Sequence, residues 1–87
     1  MTVQDRSMRI RIHYRETASG AFDSVSAEVK QVPEVGEFVA PAPMNVYRVV
    51  LTLHVLFRAD YDAEVFAELV DFEQAQTESL GQVIWRG

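Results

Sequence analysis

Positively charged side chains occupy alternate positions near the amino terminus, where Arg9, Arg11 and Arg15 flank His13. Alternate residues of a β-strand share one face, so a strand here would gather these side chains into a stripe. Guanidinium groups bind phosphates and carboxylates through paired hydrogen bonds, so the three arginines are candidates for binding an anionic ligand or a nucleic acid. The alternative is a solvated face that forms ion pairs with acids of neighbouring strands, Glu28 or Glu68. We favour the solvated face, because ion pairing at a surface needs no function to explain it. RNA binding would also need aromatic residues between the arginines, and none stands there.

Two sets of possible metal ligands lack the spacing that a metal site needs. His13 and His54 are expected on different strands and do not form an H-x-x-x-H pair. Asp60, Asp62 and Glu64 have the alternate spacing that opens a calcium-binding loop, but the glycine and the closing glutamate of that loop are missing. The charged tip of a β-hairpin would show the same spacing. The sequence therefore predicts no metal and no cofactor.

No group of residues has the pattern of a catalytic site. The chain contains no cysteine, which excludes thiol catalysis and cysteine-based metal sites. Its serines do not stand in the motif of a nucleophile elbow, and its acids are expected on a solvated face. We therefore predict that the protein is not an enzyme. A pocket for a small ligand, bounded by Trp85, Tyr47 and the proline-rich arm at 41–43, is a further hypothesis for which the sequence selects no ligand.

The segment from Val46 to Phe72 is expected to form one long β-hairpin around which the rest of the chain is arranged. Six alternate residues are apolar or aromatic, which predicts a strand that turns one face to a core. These residues are Tyr47, Val49, Leu51, Leu53, Val55 and Phe57. On the return strand, the residues that share one face are Ala63, Val65, Ala67 and Leu69. The rival interpretation is a helix over 62–80, where Glu, Ala, Leu and Gln favour helix.

The other side of this hairpin carries a second apolar set. Its members are Val50, Leu56, Phe66, Val70 and Phe72. Exposed apolar patches of this kind usually mark an interface. Either the ends of the chain or a second subunit would cover these side chains. We predict a protein-interaction module that self-associates through this face, as a homodimer or with another protein partner. The alternative function is anion or nucleic-acid binding through the stripe of Arg9, Arg11 and Arg15.

The remaining segments complete a mostly β fold. Met8–Tyr14 alternates apolar and basic residues, and Phe22–Val32 alternates apolar and polar residues, so both are predicted as half-buried strands. Gly36 is expected in a turn that needs a positive φ. A short helical turn is expected near 73–80 and a last short strand at 82–86. These elements predict a small antiparallel barrel or curled sheet of about five strands.

Length and charge narrow the class of protein. The 87 residues suit a single small domain over 8–87, after a loose tail at 1–7. No run approaches the roughly 20 apolar residues that cross a bilayer, so no membrane association is expected. The net charge of −5 counts against nucleic-acid binding, since such proteins usually carry a basic surface. A cytoplasmic location is predicted, because no apolar leader is visible. Small secreted domains are also often cross-linked by disulfides, and this chain has no cysteine.

One segment resembles a known family. Pro33-x-Val35-Gly36-Glu37-x-Val39, followed by Tyr47-Arg48-Val49-Val50, looks like the layout of small SH3-like β-barrel proteins. Such barrels are common among uncharacterised bacterial and phage-related proteins. The resemblance implies a curled antiparallel sheet and a binding role, and it supplies no catalytic residue. The chain departs from this layout by placing an arginine-rich strand pair ahead of the motif.

Overall fold

The described part of the chain forms one curled sheet, open like half a barrel. The computed structural model describes residues 7–43, 45–71, 73–74 and 76–77. The strands in these residues are β1 (Met8–Arg15), β2 (Asp23–Val29), β3 (Phe38–Val39), β4 (Tyr47–His54) and β5 (Ala63–Leu69). The predicted mostly β fold and the predicted hairpin, now β4 and β5, are confirmed. The rival helix over 62–80 is wrong for Ala63–Leu69, where alternation and pairing with two neighbouring strands outweigh helix propensity.

The sheet has the strand order β2-β1-β5-β4-β3. Its pairs are antiparallel except for β1 and β5, which run parallel. The parallel pair arises because the chain crosses from β2 at one edge to β3 at the other. The β4–β5 hairpin then returns β5 to the side of β1 that β2 does not occupy. The sheet is therefore mixed, whereas alternation alone predicted antiparallel strands.

One face of the sheet, called the inner face below, carries the hydrophobic core. The largest fully buried side chains are Ile10, Val49 and Val65, which come from β1, β4 and β5. Ile10 lies opposite Ala63, whose small side chain is also fully buried. Val32, from the loop after β2, is buried against this cluster. Each fully buried side chain of this kind contributes about 1.5–3 kcal/mol to folding, so the core joins the three central strands.

The alternation of β4 breaks at Val50. Val49 and Leu51 lie opposite consecutive residues of β5, so Val50 is the extra residue of a β-bulge. An extra residue moves every later side chain to the other face of the sheet. Tyr47 and Val49 are buried, but Leu51 and Leu53 are 52% and 50% exposed. The prediction that Leu51 and Leu53 face the core is therefore wrong.

Beyond the bulge, Thr52 and His54 take the inner-face positions of β4. Thr52 Oγ1 donates a hydrogen bond to the carbonyl oxygen of Pro33 at 2.7 Å. His54 Nε2 lies 3.2 Å from Glu34 Oε1. The loop after β2 therefore supplies partners for the polar side chains that the bulge turns inward. Thr52 is half-buried and His54 is exposed, so each hydrogen bond contributes only about 0.5–1.5 kcal/mol.

A turn at 34–37 bonds this loop to the bulge. Glu37 N donates to Glu34 O at 3.0 Å, and Gly36 between them has a φ of 95°. The predicted positive φ at Gly36 is confirmed, and it suits the third position of a type II turn. Gly36 N donates to Val49 O at 2.9 Å, and Val49 N donates to Glu37 O at 2.8 Å. The turn is thus fixed to the residue that precedes the bulge.

Asp71 marks a change of backbone conformation after β5. Its Oδ1 accepts hydrogen bonds from Glu73 N at 3.0 Å and from Gln74 N at 3.3 Å, as a helix N-cap does. The predicted helical turn is described only in part, and the predicted strand at 82–86 and nearly all of the predicted tail at 1–7 lie outside the described residues. Within the described ranges, no helix combines the length and hydrophobicity that crossing a bilayer requires.

Candidate interaction surface

The outer face of the sheet, opposite the core, brings basic, acidic and aromatic side chains together. The parallel register of β1 and β5 sets three pairs side by side. These pairs are Arg11 with Glu64, His13 with Phe66, and Arg15 with Glu68. Glu64 and Glu68 of β5 lie beside Arg11 and Arg15, so the basic stripe of β1 lies next to carboxylates of the neighbouring strand.

Arg15 is held by an acid and a ring. Its Nε donates to Glu68 Oε2 at 2.9 Å, and its guanidinium lies 4.4 Å from the centre of the Phe22 ring. Both side chains of the ion pair are partly exposed, so the pair contributes about 0–1 kcal/mol. The solvated-face interpretation expects Glu28 or Glu68 as partners of the stripe, and Arg15 pairs with Glu68.

Arg11 is part of a hydrogen-bonded group with Tyr61 and Ser26. Arg11 Nη1 donates to the Tyr61 hydroxyl at 3.2 Å, and Ser26 Oγ lies 3.1 Å from the same oxygen. The hydrogen bond with Ser26, followed by the one from Arg11, lowers the pKa of Tyr61 below its usual value of 10.0. Both contacts favour the phenolate, because each can donate a proton to its oxygen. The connection between β4 and β5 is therefore anchored to the outer face at Tyr61.

Arg9 joins β1 to the start of β5 through its backbone. Arg9 N donates to Asp62 Oδ2 at 2.8 Å, and Asp62 N donates to Arg9 O at 2.7 Å. The Arg9 side chain itself is exposed. The predicted anion-binding set thus divides into one exposed side chain and two, Arg11 and Arg15, that already contact neighbours. Two of the three arginines are therefore already engaged within the sheet.

His13 has two hydrogen-bond partners that the sequence did not indicate. Its Nδ1 lies 2.8 Å from Ser24 Oγ, and its Nε2 lies 2.7 Å from Glu64 Oε1. The ring stacks on Phe66 with 4.5 Å between centroids. A hydroxyl, an imidazole and a carboxylate in this order have the connectivity of a nucleophile, its base and the group that orients the base. Ser24 is exposed on edge strand β2, however, and acyl transfer there would proceed in open water rather than among fixed oxyanion donors.

The possible metal ligands stay apart. Within the described residues, no three or more histidine or acidic side chains come together as a metal site would require. Asp62 is bonded to the backbone of Arg9, and Glu64 is bonded to His13. His54 lies at the end of β4 on the inner side, where it faces Glu34. Asp62 and Glu64, two of the three acids with the spacing of a calcium loop, are therefore already bonded within the sheet.

Exposed apolar side chains follow the second half of β4 and continue into the connection to β5. We call this set the hairpin ridge: Val50, Leu51, Leu53, Leu56 and Phe57. Leu56 and Phe57 are 93% and 76% exposed. Phe57 was predicted to face the core, and that prediction is wrong because the strand ends at His54 and the bulge has already reversed the alternation. Periodicity placed Val50 and Leu56 on an apolar surface, but it could not reveal the inserted residue that turns Leu51 and Leu53 outward.

The five predicted interface residues are not all on one surface. Val50 and Leu56 belong to the ridge, and Val50 lies at the bulge beside Phe66. Phe66 is half-buried, with its ring 5.5 Å from the ring of Phe22. Val70 is half-buried too, and its backbone N donates to Val46 O at 3.1 Å. Phe72 lies outside the described residues.

A small cavity lies between the loop after β2 and the short strand β3. Its volume is about 180 Å³, and its lining residues are Gln31, Val32, Pro33, Glu37 and Phe38. Pockets for drug-sized ligands usually measure about 300–1,000 Å³, so this one suits a single side chain better than a ligand. Tyr47, predicted to bound a ligand pocket, is instead buried with its ring 5.2 Å from that of Tyr14. Trp85 lies outside the described residues.

Known proteins add no further evidence about the site. No protein-family model, no curated protein and no solved structure matches this chain. The resemblance to SH3-like barrels therefore stays a prediction, and the function must be argued from the geometry of the chain itself.

Proposed function

We propose that this domain is a protein-interaction module that self-associates through the hairpin ridge. The observation that carries the proposal is the exposure of Leu56 and Phe57, the two most exposed large apolar side chains of the described residues. They continue the row of Leu51 and Leu53 along β4. Contiguous apolar surface of this kind is typical of sites where one protein binds another.

The ridge would contribute substantial binding free energy if a partner covered it. Fully burying a leucine or phenylalanine contributes about 1.5–3 kcal/mol relative to leaving it in water. The ridge does not pack on its own sheet, since Leu56 and Phe57 are almost fully exposed. Val55 N donates to Asp62 O at 2.9 Å and closes the base of the connection that carries them. Tyr61, bonded to Arg11 and Ser26, holds the other end of the connection. These contacts favour a ridge that is presented for binding.

The charges support a protein partner over a nucleic acid. The chain has a net charge of −5, which repels a phosphate backbone. Arg11 and Arg15 already contact Tyr61 and Glu68 on the outer face. No contact of the described residues favours the alternative function of anion binding. A second copy of the chain is the partner we propose, since it would supply both apolar surface and acids for the exposed arginines.

Sedimentation velocity over a concentration series tests this proposal. We expect the sedimentation coefficient of the wild-type chain to rise with concentration, and that of Leu51→Glu/Leu53→Glu to stay at the monomer value. Ala18→Glu/Ser19→Glu is the matched control, because it adds the same two negative charges to an exposed turn away from the ridge. A wild-type chain that stays monomeric at every concentration would refute the proposed function.

A further inference from the structure

Three side chains of the outer face, Ser24, His13 and Glu64, form a hydrogen-bonded row across β2, β1 and β5. The antiparallel register sets Ser24 directly opposite His13. In the parallel pair, Phe66 lies opposite His13, and Glu64 stands two residues before it on the same face. Regular backbone pairing therefore holds the three side chains in place relative to one another.

The two partners of His13 decide which ring nitrogen carries the proton. An ionised carboxylate can only accept, so Nε2, which lies 2.7 Å from Glu64 Oε1, is the protonated nitrogen. In the neutral ring Nδ1 then has no proton and accepts a hydrogen bond from the Ser24 hydroxyl, at 2.8 Å. A serine that donates to a histidine in this way has a base positioned to take its proton.

The base is fixed while the serine is open to solvent. The ring of His13 stacks on Phe66 with 4.5 Å between centroids and meets the Phe22 ring at 6.5 Å. The His13 side chain is only 16% exposed, whereas Ser24 is exposed on the edge strand. A reagent from solution can therefore reach Ser24 Oγ without displacing the histidine behind it.

The open position of Ser24 decides which reagents it can attack. In enzymes that transfer acyl groups, losing one fixed oxyanion donor slows the reaction about 10²–10³-fold, and Ser24 stands in open water. Acyl donors with good leaving groups, such as aryl esters and thioesters, depend least on that help. The product is an alkyl ester on serine, whose leaving group is poor. The same setting therefore leaves the acyl group in place once it has been transferred.

We propose that Ser24 is a site of covalent acylation by activated esters and thioesters, with His13 as the base and Glu64 as a positioning residue. Ser24 Oγ forms a bond to the acyl carbon, and the bond from that carbon to the oxygen or sulfur of the leaving group breaks. The hydroxyl proton moves to His13 Nδ1 and from there to the leaving group. Between these transfers, the carboxylate of Glu64 stabilises the positive charge of the ring. The inference is independent of the proposed function, because one copy of the chain holds all three groups.

Ser26 is a matched control within the same chain. Both serines are exposed on the same side of β2, but Ser26 Oγ lies 3.1 Å from the hydroxyl of Tyr61 and not beside a histidine. The whole chain is treated with p-nitrophenyl acetate at about pH 8, above the usual titration range of histidine. Tandem mass spectrometry of the peptide that holds both serines measures the acetylation rate of each.

The expected difference follows from the usual effect of a positioned base. Such a base accelerates a reaction about 10²–10⁴-fold, so Ser24 should be acetylated at least about 100-fold faster than Ser26. Equal rates at the two serines would overturn the inference.

Two variants test the roles of His13 and Glu64. His13→Gln should lower the Ser24 rate to that of Ser26, because no base remains. Glu64→Gln keeps a hydrogen-bonding group without its charge, so it should lower the Ser24 rate at least about tenfold while the urea midpoint changes little. A purely structural role would instead lower the midpoint and leave the ratio of the two serine rates unchanged. An unchanged ratio in a folded variant contradicts the proposed roles.

The wild-type chain also permits a test that needs no substitution. Nitrogen-15 NMR shifts distinguish a protonated ring nitrogen from one without a proton. Under the conditions of the acetylation experiment, the His13 ring should carry its proton on Nε2 and leave Nδ1 bare. A proton on Nδ1 would overturn the inference, because the ring would then donate to Ser24 and could not take its proton.

Discussion

Tyr47 and Val49 in the first half of β4 are buried, whereas Leu51 and Leu53 in the second half are about half exposed. All four are apolar and stand at alternate positions of one strand. Their environments differ because Val50 is an inserted residue that reverses the alternation. The first half of β4 therefore belongs to the core, and the second half belongs to a surface that is apolar without being buried.

The reversal also places polar side chains on the inner face. Thr52 and His54 find partners in Pro33 and Glu34, so the inner face remains satisfied beyond the bulge. The second half of β4 therefore exchanges its faces relative to the first half. The bulge turns Leu51 and Leu53 outward and Thr52 and His54 inward, and the loop after β2 supplies a hydrogen-bond partner for each of the two polar side chains.

The largest expected effect comes from placing a charge in the buried first half of β4, compared with the same change in its exposed second half. Val49→Asp should destabilise the fold by more than about 4 kcal/mol, because it buries a charge without a partner. Leu51→Asp should change the free energy of unfolding by less than about 1 kcal/mol, since its side chain reaches water. Urea denaturation followed by circular dichroism measures both. Equal losses for the two variants would contradict the different environments of the two halves.

Much of the fold could be predicted from alternation, but only Val50 and Leu56 of the candidate site could be. The strand nature of 63–69 followed from Ala63, Val65 and Ala67 on one face, and all three are fully buried. Leu51, Leu53 and Phe57 of the ridge were missed because period-two reasoning assumes that no residue is inserted, and Val50 is as β-prone as its neighbours. The parallel pairing of β1 and β5 was missed because it depends on the path of the chain between sheet edges.

Replacing Gly36 tests the turn that is hydrogen-bonded to Val49, the residue before the bulge. Gly36→Ala should cost about 1–2 kcal/mol, because a side chain is disfavoured at its φ of 95°. An added Cβ would meet no heavy atom within 4 Å, so the cost comes from the backbone alone. The urea midpoint measures the loss. An unchanged midpoint would mean that the turn does not require a positive φ.

Deleting Val50 tests whether it is the inserted residue that separates the buried and exposed halves of β4. In the observed register, the deletion leaves a regular ladder in which Val49, Leu51 and Thr52 keep their present partners on β5. We expect a folded chain that differs from the wild type by less than about 1 kcal/mol. Cross-strand NMR contacts from Leu51 to Phe66 and from Thr52 to Val65 should persist. If the alternation were unbroken, the deletion would instead turn Leu51 and Leu53 over and those contacts would disappear.

The smallest expected effect concerns Tyr61, where the exposed connection rejoins the sheet. Its hydrogen bonds with Ser26 and Arg11 lower its pKa in the folded chain, so the unfolded chain holds the proton more tightly. Stability linked to this group should therefore rise with pH between the lowered pKa and about 10, and be absent at neutral pH, where the hydroxyl is protonated in both states.

Phenolate absorbance against pH measures the Tyr61 titration. The wild-type chain should show a component below the usual tyrosine range, which Tyr61→Phe removes and Ser26→Ala shifts upward. Tyr61→Phe should leave the neutral-pH urea midpoint nearly unchanged, because an exposed hydrogen bond contributes little there. A Tyr61 that titrates like free tyrosine would show that the connection is not anchored to the outer face. The exposed half of the hairpin would then extend beyond Phe57 to the start of β5.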